Sequence, residues 1–277
     1  MPTNTAVERT KNYVSILESL GLRRRVRSRL PRQLAPSALE RAYGRSLVQL
    51  LKSFDLDWAQ LLSELPTLVA ASRLDAWEFD RVRSFVAGVK AKIKTVVEAS
   101  TRRIASTYAV ATARFNQTQL GRQTKAALGF EIPFSDRSVA SRLGRFVETN
   151  VGLIQGLTER TASEIEALIL DGFQNRSSAI TIGAQVRRKL RTSQKRAVLV
   201  ARDQLHKLYG QVNAARQQEL GVRKFVWRTM HDERVRTTHR SRDGKAYSYE
   251  NPRGADGELP GEPILCRCIA EPVFTDS

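Results

Sequence analysis

A change of periodicity at Gly221 constrains this chain more than any other feature. Before that glycine, apolar residues recur three and four apart; after it, they alternate. Val82, Phe85, Val89, Ile93, Val96, Ile104, Tyr108, Ala111 and Phe115 trace one stripe on a helix of about 40 residues. A helix of that length suits bundle packing or contact with another subunit. "PSALERAY" places Pro36 and Ser37 ahead of an earlier periodic run through Phe54, and Ser72 opens a capping-box-like "SRLD". Gly129 and Pro133, in "GFEIPFSDRS", interrupt the helical region. Helices are then expected to restart behind the polar residues Thr158, Thr181 and Ser193. In the last of them Ala197, Ala201, Leu205, Leu208, Val212 and Ala215 make the buried stripe, with His206 beside it as a structural histidine, and Gly221 stops it as a C′ residue.

Past Gly221, "VRKFVWRTM" reads as a strand, "DGKAYSY" as a turn into a second and "CRCIAEPVF" as a last, with a Gly/Pro loop before it. The sequence therefore predicts an α+β fold. Long helices dominate the N-terminal two-thirds, and a small C-terminal β-sheet packs on the last long helix. Three segments are expected: an N-terminal helical region over 1–130, a linker with short helices over 131–192, and a C-terminal α+β domain over 193–277.

Composition narrows the class of partner. Lys and Arg number 46 against 28 Asp and Glu, a formal charge of +18 over 277 residues. Such an excess argues for polyanionic surroundings: nucleic acid, an acidic protein or an anionic membrane surface. Arg23, Arg24, Arg25, Arg27, Arg29 and Arg32 cluster in "LRRRVRSRLPR", where they would contact DNA phosphates or an acidic partner, or form a solvated basic face. No aromatic residue interleaves there, so base stacking is not indicated. No run approaches the length of a membrane span, and the N-terminus lacks the pattern of a secretion signal. Two cysteines make no disulfide framework, and synthesis in a reducing cytoplasm is the expectation.

The chemistry-bearing residues gather late in the chain. "FVWRTMHDERVRTTHRSRDGKAY" holds two of the three histidines, and "LPGEPILCRC" holds both cysteines. In an extended strand Cys266 and Cys268 would present two thiols on one face and Arg267 on the other. His239 or His231, with a carboxylate from Asp232 or Asp243, would complete a tetrahedral zinc site. The alternative is a pair of structural thiols in a small core, since the Cys-x-x-Cys knuckle is absent. Catalysis by His239 as general base with Arg236 as phosphate clamp is a further reading, and no spacing selects it. No P-loop, dinucleotide glycine motif or His-Glu-x-x-His is present.

One pattern fits many of these residues together. Ala201, Arg202, Asp203, Gln204, Lys207, Leu208, Gly210, Asn213, Arg216 and Gln217 lie on the long helix, followed by Gly221 and Val222. Trp227, Arg228 and Thr229 end the first strand, before Asp232, Glu233, Arg234, Val235, Arg236, His239, Asp243 and Gly244. Pro260, Gly261, Pro263, Cys266, Arg267 and Cys268 close the series. In this order and spacing the chain resembles the phage Mu F-like family of head morphogenesis proteins, also called minor head or minor capsid proteins. The resemblance covers about residues 195 to 274 and departs at Leu265, where an Asn often precedes the cysteine pair, and at His231, a position the family leaves free.

The resemblance implies a structural, non-enzymatic virion protein of a tailed phage or prophage, made in the host cytoplasm. Its partners would be the portal protein, the major capsid and scaffold proteins, and packaged double-stranded DNA bound without sequence readout; it would sit inside the head near the portal. A nuclease or other hydrolase, and a free zinc-containing DNA-binding protein, are the competing readings. The motif residues Trp227, Arg228, Thr229, Asp232, Arg234, Arg236, His239, Asp243, Gly244 and Arg267 are then expected to be structural, with Asp232, Arg234, Arg236 and Asp243 sharing a buried polar network. A structural zinc on His239, Cys266, Cys268 and Asp232 is the cofactor expectation.

Overall fold

The computed structural model describes residues 31–71, 76–132, 134, 137–252 and 257–274. Helix α1 (Ser37–Lys52) opens at Ser37 as expected, but its run stops before Phe54. There the Ser53 hydroxyl turns back to the Leu50 carbonyl at 2.6 Å, and α2 (Asp55–Ala71) starts with Asp55 and Asp57 against the positive end of its dipole. The capping box at Ser72 lies outside the described residues.

Helix α3 (Ala76–Leu128) is 53 residues long, exceeding the expected length. Its buried face is rotated from the predicted stripe. Val89 and Ile93 are buried as expected, but Val97 is buried where Val96 is exposed, and the face continues through Thr101, Ala105, Ala109, Thr112, Asn116 and Leu120. The larger Ile104, Tyr108 and Phe115 stand half-buried at its edge. Size explains the correction. Small side chains let a long helix approach its neighbours closely, so the big apolar residues that define the periodicity are displaced to the flanks.

Thr158 and Ser193 do not open helices. Each lies inside one: α4 (Arg137–Gln174) stands where a linker and short helices were expected, and α5 (Ala179–Glu219) extends the expected last long helix upstream. The Thr158 hydroxyl is satisfied by the Ile154 carbonyl of its own helix, and Ser193 by the Thr161 hydroxyl, so neither needs to cap an end. The N-terminal hydroxyl of α5 is Ser178, which accepts the Thr181 N–H at 3.1 Å. The far end follows the sequence: Gly221 takes φ +80°, and the N–H groups of Gly221 and Val222 return to the carbonyls of Gln218 and Gln217.

Beyond α5 come β1 (Lys224–Arg228), the short helix α6 (Thr237–Arg242), β2 (Ala246–Ser248) and β3 (Ile269–Val273). The strands form an antiparallel sheet in the order β2-β1-β3. Alternation buries Phe225 and Trp227 of β1 on the inner face, level with Tyr247 of β2 and with Pro272 and Ala270 of β3. Pro272 is tolerated because β3 is an edge. The inner face packs with Ala214, Leu220 and Val222 at the end of α5 and with Leu120 and Ala127 of α3, and it includes both cysteines.

The chain divides into two compact units. One comprises Met1–Glu40, Tyr108–Phe146 and Asp203–Ser277; the other comprises Arg41–Thr107 and Val147–Arg202. Each takes pieces from all three of the segments 1–130, 131–192 and 193–277. The second unit is filled by apolar side chains such as Leu47, Leu61, Leu65, Ile154, Ile165 and Ile169. Among the described residues no helix is long and apolar enough to cross a membrane.

Candidate functional site

The site is built on the inner face of the sheet. Trp227 projects from β1 and is fully buried. Helix α6, which the sequence reading missed, carries His239 against it, edge to face with ring centroids 5.2 Å apart. One turn on, Arg242 lays its guanidinium over the same indole, 5.0 Å from the ring centroid. Arg242 also donates to Glu258 at 2.8 Å, and the same carboxylate lies 3.8 Å from His239 Nε2. The i, i+3 spacing of His239 and Arg242 was a usable signal for a shared helix face. Glu258 carried none, because it sits in the Gly/Pro loop.

Cys266 and Cys268 come to the other side of the imidazole. They lie just before β3 rather than within it, which corrects the strand assignment. Their alternation survives: both thiols are buried and Arg267 is turned outward. Each sulfur is 3.5 Å from His239 Nδ1. The ligand atoms of these three residues lie within 4.8 Å of one another, and all three residues are buried.

The two thiols titrate as a pair. The hydrogen bond from Cys268 lowers Cys266 to about 7, helped by backbone N–H groups of Cys268 and Gly261. Cys268, which keeps the shared proton, is pushed far up by that bond and by burial. Burial, then the charges of Arg236 and Arg242, lower His239, so the imidazole is held neutral. The Trp227 indole N–H is buried without a conventional hydrogen bond and favours the thiolate of Cys268.

Asp232 is not part of this group. It pairs with Arg267 at 2.7 Å, and that bond holds its carboxyl below the usual range. His231 is exposed, 3.4 Å from Asp243. Asp243 ties off the end of β1, accepting the Thr229 N–H at 2.7 Å and its hydroxyl at 3.1 Å. Arg236 donates to the Ile264 carbonyl, and Arg234 sits exposed beside Glu233. Asp232 also takes the backbone N–H and feels the charge of Arg234, but Arg236 and Asp243 serve other partners, so the four do not form one buried network. Arg228 crosses to Glu271 on β3 at 2.6 Å, and Gly244 starts the β2 hairpin by donating to the Trp227 carbonyl. Of the arginine cluster, Arg32 donates to the Thr229 carbonyl; Arg23, Arg24, Arg25, Arg27 and Arg29 lie outside the described residues.

The helix residues of the motif support the site from below. Asn213 accepts from Gln33 and Asn116 and donates to the Ala270 carbonyl at 2.7 Å, which Gln217 also reaches at 2.8 Å. Tyr249 donates to Gln217 in turn. Arg216, fully buried, donates to the Ala113 carbonyl and faces the Phe134 ring. Gly210 meets the loop backbone: a Cβ there would stand 2.5 Å from the Pro260 carbonyl oxygen. Asp203 accepts the Leu265 N–H at 2.7 Å and pins the turn that leads into Cys266. Leu265 adopts φ +57°, a left-handed conformation that asparagine tolerates better than leucine. That gives the departure from the family pattern a physical meaning. His206, the remaining histidine, is structural in its setting: buried and 3.0 Å from Glu40.

Sheet, last helix and buried Cys/His group together define a small α+β unit closed by its own polar side chains. Residues 163–271 match the family described as phage Mu protein F like protein, a stretch that begins upstream of the motif read from the sequence. An uncharacterized protein of Haemophilus influenzae is 30% identical over 140 residues, covering 50% of this chain and 31% of that protein's length. The chain therefore aligns with less than a third of that relative. No solved structure matches.

Proposed function

We propose that this chain is a minor head protein of a tailed phage or prophage, acting in procapsid assembly and in DNA packaging and ejection. The observation that carries the proposal is the family match over residues 163–271. In this reading the helical regions dock on portal, major capsid or scaffold protein. The +18 charge lets the chain lie against packaged double-stranded DNA through phosphate contacts, without base readout. The C-terminal unit serves as a rigid module. Its polar side chains are spent on one another, and His239, only 4% exposed, has protein groups at both ring nitrogens, which favours a structural role over a hydrolytic one.

The test is composition of particles. Procapsids and virions from the phage or prophage that encodes the chain should contain it in a few copies, co-purifying with portal and capsid protein. Its absence from particles, combined with tight and strongly salt-dependent DNA binding by the isolated chain, would overturn the reading in favour of a free DNA-binding protein.

A further inference from the structure

We propose that Cys266 Sγ, Cys268 Sγ and His239 Nδ1 bind one zinc ion, a structural metal site that clamps the chain before β3 to helix α6. The inference rests on this site's geometry and is independent of any role in head assembly.

Distance is the first ground. Zinc sits about 2.3 Å from a thiolate and about 2.0–2.1 Å from an imidazole nitrogen, so tetrahedral angles separate S and N ligands by about 3.6 Å. Both Sγ–Nδ1 separations are 3.5 Å. A hydrogen-bonded cluster accounts less well for that equality. A single Nδ1–H points its proton at one acceptor, whereas a shared metal sets both sulfurs at the same distance from Nδ1.

Charge is the second ground. Two thiolates and a neutral imidazole cancel the charge of a divalent cation, so the complex can be buried as deeply as these side chains are. Each thiol that ligates gives up its proton to solvent, and the metal takes its place.

The ring's orientation is the third. Glu258, 3.8 Å from Nε2, favours the tautomer with its proton on Nε2, which leaves the Nδ1 lone pair toward the sulfurs. Two sulfurs and one nitrogen as donors select zinc over magnesium or calcium, which take oxygen donors. Among the described residues three protein ligands converge on one point.

The full chain, purified without chelator, should carry about one zinc per chain by elemental analysis. Replacing zinc with Co2+ alone should give the thiolate charge-transfer and intense visible bands of a tetrahedral site. Both signals should be lost in Cys266→Ser and in Cys268→Ser. Since loss of a ligand also threatens folding, the wild-type chain provides the second arm. Chelation should lower its melting temperature by roughly 10 °C, and added Zn2+ should restore it. A chain that is metal-free as purified, shows no tetrahedral Co2+ bands and melts unchanged with chelator or Zn2+ would overturn the site and leave a thiol–imidazole hydrogen-bond cluster.

Discussion

The two compact units solve the burial problem in different ways. The unit formed by Arg41–Thr107 and Val147–Arg202 fills itself mainly with leucine, isoleucine and valine; its Thr158 and Thr161 hydroxyls turn back on their own or a neighbouring helix, and Tyr43 donates to Asn150. The unit that carries the sheet buries Gln33, Asn116, Gln123, Asn213, Arg216 and Gln217, cross-linked by directional bonds to β3 and to α3. Apolar packing is non-directional and tolerates exchange of similar volumes, while a buried polar network admits one arrangement in which every member is satisfied. The apolar unit tolerates substitution; the sheet-carrying unit is specified by its buried bonds.

Substitutions of similar size should separate the two most sharply. Asn213→Leu removes the acceptor of Gln33 and Asn116 and one donor to Ala270, and should cost about 3–5 kcal/mol. Ile165→Leu, at an equally buried position of the other unit, should cost about 1 kcal/mol. Urea denaturation midpoints check both, and comparable losses would erase the distinction. Added methyl groups extend the contrast. Gly210→Ala meets the Pro260 carbonyl and should destabilise by about 2 kcal/mol, while Gly152→Ala, with nothing within 4 Å, should stabilise by about 0.5–1 kcal/mol through helix propensity.

Leu265 offers a stabilising change. Asparagine or glycine there relieves a left-handed φ and should raise stability by about 1 kcal/mol, read as a higher melting temperature; a neutral or lower value would mean that the turn is not strained. The smallest expected effect is electrostatic. Arg267 holds the Asp232 carboxyl below its ordinary 3.8, so the pair's contribution is complete above that pH and is lost as pH falls through the lowered value. Asp232→Asn should cost about 0.5 kcal/mol at neutral pH and nothing once the pH lies below the lowered value, measured as the difference between the two stability–pH curves.

Much of the site's composition was legible in advance. The i, i+2 spacing of Cys266 and Cys268, the isolated His239 and the switch from helical to alternating period all point to a small sheet with thiols on one face. The register of α3 was not legible. A stripe of large apolar residues outweighs Thr101, Ala105, Ala109 and Asn116 in any periodicity, yet the smaller residues face inward because they allow close helix approach. Asp232 was equally unreadable as a salt-bridge partner, since its attachment to Arg267 spans 35 residues of sequence.

By itself, the sequence determined the α+β class, the end of the last long helix at Gly221 and the cast of residues near the sheet, because period, glycine and alternation act over a few neighbouring residues. Only the tertiary structure decided which of those residues meet. It set His239 between Glu258 and the two cysteines, sent Asp232 to Arg267 and gave Asn213 its place beneath β3. Convergence of side chains from distant segments depends on helix register and loop closure, and neither is encoded in local spacing.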